Sequence, residues 1–227
     1  MNDSKLVSVA IDGPAGAGKS TIAKQVAKEK GYIYVDTGAM YRAMALYLIR
    51  EGIGYNEKER IEEACTRADI SIDHVNGEQI VLLNGENVNS LIRTEEVGNM
   101  ASVSSTNPKV REKLVSLQQK LAEKRSLVMD GRDIGTVVLP NAGVKIYLTA
   151  SSAIRAKRRY EELLAKGVSC DINEIEKDII ERDKRDMNRE ISPLKQAKDA
   201  ILVDSSNLSI EEVKEKILSI INNKEGM

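Results

Sequence analysis

The chain has 227 residues, with 34 Lys and Arg against 35 Asp and Glu, and it contains neither Phe nor Trp. That length allows one domain with an insertion, around a core that has to be aliphatic. A charge balance this close to neutral argues against a general nucleic-acid or membrane-surface binder, but it leaves room for a local basic site.

Taken in chain order, "KLVSVAI" (5–11) is β-branched and runs into a Gly/Pro turn, which predicts a buried strand. A helix follows from about Lys19 to Lys30, then a short strand at "YIYV" (32–35). "TGAMYRAMALYLIR" (37–50) predicts a helix capped by Thr37, with Met40, Tyr41, Met44, Leu48 and Ile49 as its apolar and aromatic positions. Strand, helix, strand, helix opens a parallel α/β sheet. "ADISIDHVNGEQIVLLNGENV" (68–88) breaks that rhythm. Apolar runs flank Asn76-Gly77, a second Asn-Gly follows at 84–85, and a small inserted antiparallel meander is predicted. His74 reads as a surface or strand residue.

Helical patterning resumes from about Pro108 to Arg125, and buried strands are predicted at "SLVMD" (126–130), "VKIYLTA" (144–150) and "AILVD" (200–204). Between the last two, Ser151 or Ser152 caps a helix to about Lys166, and a break at "GVSCD" leads into a second helix reaching Ser192-Pro193. "SIEEVKEKILSII" is an amphipathic C-terminal helix with Ser209 and Glu212 in capping-box spacing. Two distant cysteines, Cys65 and Cys170, and a lone histidine give no metal-ligand spacing and fit a reducing compartment. The N-terminal apolar run is too short for a leader, and no run approaches a membrane span, so a soluble cytoplasmic protein is expected. With no coiled-coil seam, a monomer is expected.

"GPAGAGKS" (13–20) fits GxxxxGK[ST] between a predicted strand and a predicted helix, the setting in which backbone N–H groups cradle a polyphosphate. Lys19 reaches outer phosphates there, and the Ser20 hydroxyl suits Mg²⁺, so ATP or GTP is the expected ligand. There is no N-K-x-D stretch to read guanine and no LSGGQ-like signature. Small kinases and small switch proteins remain. A kinase needs a second anion site, and two stretches at strand ends supply candidates. "DTGAMYR" (36–42) offers Thr37, Tyr41 and Arg42. "DGRDIG" (130–135) offers Asp130, where a Mg²⁺-orienting carboxylate commonly stands, and the pair Arg132 and Asp133. "ERDKRDMNR" (181–189) places Arg182, Arg185 and Arg189 on one helical face, and Arg155, Arg158 and Arg159 share a face of the helix before it. Such rows suit either ion pairing in solvent or a transferring phosphoryl group.

"IDGPAGAGKST", "VDTGAMYR", "IRTEEV", "VREKL", "DGRDIGTVV" and "RDKRDMNR", in this order over nearly the whole chain, resemble the bacterial cytidylate kinases, a family of P-loop nucleoside monophosphate (NMP) kinases. The resemblance implies a three-layer α/β fold with a five-stranded parallel sheet. It divides the single kinase chain into a core (1–36, 105–150 and 193–227), an NMP-binding region with the β insertion (37–104) and a helical lid (151–192). It implies transfer of the ATP γ-phosphate to CMP or dCMP with Mg²⁺. ATP would lie on Gly13, Pro14, Ala15, Gly16, Ala17, Gly18, Lys19, Ser20 and Thr21, with Arg158. Ser20 would hold Mg²⁺, with Asp130 acting through water. Ser102, Arg111 and Asp133 would read cytosine; Arg42 and Arg132, helped by Arg189, would hold the CMP phosphate. Arg182 and Asp186 would reach the ribose and phosphate side, with Thr37, Tyr41 and Asp130 completing the CMP set. Lys19, Arg132, Arg182 and Arg189 would carry catalysis. Asp183 and Asp186 would hold the lid arginines in place while it is open. Thr37 stands where some relatives have Ser, and the hydroxyl is kept. The lid has no cysteine cluster, so a lid zinc is excluded. The rivals are a kinase of the same fold acting on UMP or AMP, and a non-catalytic nucleotide switch, which would lack the second anion site.

Overall fold

The structure, a computed structural model, describes residues 6–75 and 77–226. Its elements are β1 (Ser8–Asp12), α1 (Lys19–Lys30), β2 (Ile33–Asp36), α2 (Thr37–Arg50), α3 (Lys58–Arg67), β3 (Ile70–Val75), β4 (Glu78–Leu83), β5 (Glu86–Asn87), α4 (Glu95–Ser104), α5 (Pro108–Ala122), β6 (Leu127–Gly131), a π-helical turn (Ile134–Val138), β7 (Val144–Thr149), α6 (Ser152–Ala165), α7 (Ile172–Asn188), β8 (Ile201–Asp204) and α8 (Ile210–Glu225). The expected fold class is present: a five-stranded parallel sheet in the order β2-β6-β1-β7-β8, and a separate three-stranded antiparallel sheet β3-β4-β5. The chain forms two compact units, Gly31–Leu127 with Leu6, and Val7–Lys30 with residues 128–226.

In the second of these units, β1 pairs in parallel with β7, Val9 opposite Val144 and Asp12 opposite Tyr147, and β7 pairs in parallel with β8. Strand β8, expected to be buried, is instead an edge strand that buries only Val203 and leaves Ile201 and Leu202 exposed. Val9, Ala10, Ile11, Val128, Met129 and Leu148 are all 0% exposed, the continuous apolar run expected of strands covered on both faces. Ile22, Ala23, Val26 and Ala27 of α1 and Val213, Ile217 and Ile221 of α8 are buried at helical spacing. The capping box holds: Ser209 Oγ accepts from Glu212 N, and the Glu212 carboxylate accepts from Ser209 N at 2.8 Å. Ser151, not Ser152, caps α6.

In the other unit, β3 and β4 run antiparallel, Ile70 opposite Leu83 and Val75 opposite Glu78, and β5 continues the meander. Asn76 lies outside the described residues; at the second turn Asn84 and Gly85 both have positive φ, 50° and 81°, as a tight hairpin of the right twist demands. His74 is a strand residue whose Nε2 lies 2.9 Å from the Tyr34 carbonyl oxygen. The cap of α2 corrects the sequence reading: Asp36, whose side chain accepts from Ala39 N at 2.9 Å, is the N-cap, and Thr37 is the first helical residue. The carboxylate stands one residue earlier, where it can meet the third free amide of the helix. Two helices had no clear pattern in the sequence. Helix α3 buries only Ile61, Ala64 and Cys65, and α4 carries Gly98 amid polar residues behind a Thr94 cap. The C-terminus of α3 is closed from α5: Lys113 Nζ donates to the carbonyls of Cys65 (2.8 Å), Thr66 (3.0 Å) and Ala68. A cation on the last carbonyls of a helix satisfies orphan acceptors and the helix dipole together.

The α6–α7 hairpin departs from the expected rows of arginines. Arg155 is 5% exposed and buried by three acceptors: Nε donates to the Ala150 carbonyl at 2.9 Å, one terminal nitrogen to the Ala15 carbonyl at 2.9 Å, and the other to Asp183 Oδ2 at 2.6 Å. Arg158 turns to Ser205, donating to its carbonyl at 2.7 Å, while Arg159 pairs in solvent with Glu162. On α7 the partly covered stripe is Ile175, Ile179, Asp183 and Asp186, so Arg182 and Arg185 are exposed. The few apolar residues of α7 set its rotation, and that rotation turns a carboxylate inward where the charge spacing had suggested guanidinium groups.

Two predictions concern these cations. Lys113→Met removes the donor from three carbonyls and should cost about 1–2 kcal/mol in urea unfolding. Arg155→Ala leaves the buried Asp183 carboxylate unpaired and should cost about 3 kcal/mol, with a part recovered in the Arg155→Ala/Asp183→Ala double variant.

Candidate active site

The P-loop starts where β1 stops. At Gly13 a Cβ would stand 1.9 Å from the Leu148 carbonyl oxygen, with φ at 151°, so only glycine lets the loop leave the sheet so close to β7. The loop then runs into α1, whose first residues are Lys19 and Ser20. Lys19 is 6% exposed, and its Nζ donates to the Pro14 carbonyl at 2.7 Å, across its own loop. Burial, with the charge of Arg132 next, lowers its pKa to about 7; Asp130, Asp12 and Asp186 pull the other way.

Ser20 Oγ donates to Asp130 Oδ2 at 2.9 Å, 110 positions along the chain. A hydroxyl and a buried carboxylate side by side are the hard oxygen donors that Mg²⁺ takes when substrate phosphates and waters complete its shell, so these residues fit the ion. Among the described residues no group of three or more His, Cys, Asp or Glu could hold a metal ion.

Beyond Asp130, strand β6 ends in the loop carrying Arg132 and Asp133. Arg132 Nε donates to Asp186 Oδ2 of α7 at 2.9 Å. Asp133 is 5% exposed and lies 4.0 Å from Arg189, whose Nε donates to the Ser192 carbonyl at 2.6 Å. Arg132, Asp133, Asp186 and Arg189 therefore converge in alternating charge in the same unit as the P-loop. Arg182 is exposed on α7 and Arg158 is turned to Ser205. Of the two acids expected to hold arginines of residues 151–192, Asp183 pairs with Arg155, while Asp186 pairs with Arg132, outside that span.

One functional group escaped the sequence reading. Asp12, the last residue of β1, is 4% exposed, and its two carboxylate oxygens accept from the amides of Ile134 and Gly135, both at 2.7 Å. Burial pushes its pKa up to about 6 although both amides hold it down, and the charge of Asp133 adds to the rise. Its partners lie more than a hundred positions away, so no local pattern marks it.

Thr37, Tyr41, Arg42, Ser102 and Arg111 belong to the unit of residues 31–127. Thr37 is buried at the start of α2, one residue after its Asp36 cap, and Tyr41 and Arg42 lie one turn in, half-buried. Ser102 is half-buried on α4. Arg111 is 5% exposed, with its guanidinium carbon 5.8 Å from the centre of the Tyr41 ring. A cation over an aromatic face is held flat, and this one also donates to the Ser105 carbonyl at 3.4 Å.

Comparison with known proteins accounts for this arrangement. The family model described as cytidylate kinase matches residues 9–223. A cytidylate kinase of Caldicellulosiruptor saccharolyticus is 52% identical over 216 residues, 95% of this chain and 96% of that one. A cytidylate kinase of Bacillus subtilis is 49% identical over 220 residues, 97% of this chain and 98% of that one. Among solved structures, an uncharacterised protein from Eubacterium ventriosum superposes with a TM-score of 0.52 at 14% identity, covering 95% of this chain and 98% of that one, a likeness of fold alone. With a matched family model over nearly its full length and relatives at about half identity, the chain belongs to the cytidylate kinase family.

Proposed function

We propose that the protein transfers the γ-phosphoryl group of ATP to CMP or dCMP, giving ADP and CDP or dCDP. The observation that carries this reading is the pairing, within one unit, of a P-loop bearing Lys19 and the Ser20–Asp130 pair with a second cationic cluster of Arg132 and Arg189. A nucleotide switch needs the first and has no use for the second. The acceptor phosphate oxygen attacks the γ-phosphorus in line, so no covalent intermediate is required. Mg²⁺ held at Ser20, with Asp130 acting through water, supplies charge neutralisation on the ATP phosphates when bound. The loop 13–21 and Arg158 hold ATP. Lys19, Arg132, Arg182 and Arg189 stabilise charge on the transferring group. Arg42, Arg132 and Arg189 hold the CMP phosphate, with Thr37 and Tyr41 beside it, and Arg182 and Asp186 attend the ribose side. Ser102, Arg111 and Asp133 read the base.

The same reading assigns residues 37–104 to NMP binding and 151–192 to a lid, in a monomer. No helix among the described residues is long and apolar enough to cross a membrane. Free Cys65 and Cys170 suit the cytoplasm, where both nucleotides are at hand.

Asp133 suits cytosine because a buried carboxylate accepts from the exocyclic amino group, where uracil presents a carbonyl and leaves the charge unpaired. A coupled ADP-release assay across CMP, dCMP, UMP and AMP should show highest kcat/KM on the cytidine nucleotides; equal rates on UMP or AMP would assign another substrate, and no NMP-dependent turnover would make the protein a switch. Lys19→Ala should lose at least about a hundredfold in kcat while its unfolding midpoint holds. In steady-state kinetics, Asp133→Ala should contract the CMP-to-UMP ratio of kcat/KM by about tenfold or more, mainly through lost CMP activity.

A further inference from the structure

The π-helical turn at Ile134–Val138 begins, like any helix, with amides that have no partner inside it. The residue just before a helix ordinarily caps those amides with its own side chain. Asp133 holds that position, with φ −144° and ψ 25°, and makes no side-chain cap hydrogen bond. The cap comes instead from the end of β1, where the Asp12 carboxylate takes the Ile134 and Gly135 amides on separate oxygens. The fit is close. A Cβ on Gly135 would stand 3.3 Å from Asp12 Oδ2 and 3.2 Å from Lys145 Cδ.

We propose that Asp12 is a positioning residue for substrate choice: by capping the turn that follows Asp133, it fixes the Arg132–Asp133 loop to the root of the P-loop. The geometry admits no simple replacement. Asparagine offers one acceptor and one donor, so one of the two amides would face an N–H group. A cap supplied by Asp133 itself would take away the oxygen meant for the cytosine amino group. The groups whose charge reaches Asp12 are Asp133 and Lys19, and the Asp12 charge in turn reaches the Tyr147 phenol on the adjoining strand. At neutral pH the carboxylate is ionised and both oxygens accept.

This inference rests on the assignment of Asp133 as base reader, and it is tested separately from it. In Asp12→Asn, hydrogen exchange at the Ile134 and Gly135 amides should accelerate by about tenfold or more, whatever the substrate is, since the amides lose a buried acceptor. The CMP-to-UMP ratio of kcat/KM should contract by about threefold or more, while the ATP dissociation constant, measured by direct titration, stays within about twofold. Gly135→Ala, which keeps every polar group and only displaces the turn, should contract the ratio in the same direction and serves if the asparagine variant does not fold. Unchanged amide exchange in Asp12→Asn would overturn the capping role. Loss of ATP affinity in step with kcat, or an unaltered CMP-to-UMP ratio, would place Asp12 in support of the P-loop alone and overturn the role in substrate choice. A wild-type enzyme without preference for CMP would instead overturn the reading of Asp133, with the amide exchange still deciding whether Asp12 caps the turn.

Discussion

Asp12, Lys19 and Arg155, which sit in or against the P-loop, and Asp183, which pairs with Arg155, are all buried residues with little access to water for their hydrogen bonds. Charge in that position has to be met by protein groups or by ligand. Each of the four meets part of its need by reaching a different segment. Asp12 holds the turn after β6, Lys19 its own loop at Pro14, and Arg155 the Ala15 carbonyl, the end of β7 and α7 together. The cost of burying these charges is what ties loops far apart in sequence into one site. One end is left over: Asp183 Oδ1 is buried without a partner among the described atoms.

On the proposed reading, the arginines that would take the phosphate are already engaged. Arg132 lies on Asp186 at 2.9 Å, and Arg189 stands near Asp133. Both guanidinium groups are thereby fixed in direction, so a phosphate arriving there meets donors already oriented and competes with one carboxylate for each. On the proposed reading this carries a cost in affinity and a gain in order, which suits a reaction that depends on positioning and charge more than on covalent chemistry. It also explains why so acid-rich a helix as α7 belongs beside a phosphate site.

The stretches that the sequence made plain are those whose physics is local. The Gly-rich loop between β1 and α1, the Asn84-Gly85 turn of the meander, the capping box of α8 and the buried strands β1, β6 and β7 appear where residue type and spacing put them, because turn dihedrals, caps and runs of apolar residues are decided within a few residues. So are the candidate residues of the P-loop and of the Arg132–Asp133 loop. Helices α3 and α4 were faint for the converse reason, since each buries only three or four residues and draws its stability from packing.

Long-range partners were beyond reading. The sequence by itself determined a P-loop on a parallel sheet, a β insertion and an arginine-rich pair of helices, α6 and α7. Only the tertiary structure decided that Asp183 rather than Arg182 turns inward on α7. Only it showed Arg155 as a buried strut on the P-loop, and Asp12 capping a turn 122 positions away. Each of these is a choice of partner for a polar or charged group. Such a choice is fixed by which groups the fold excludes from water together, a property of no single segment.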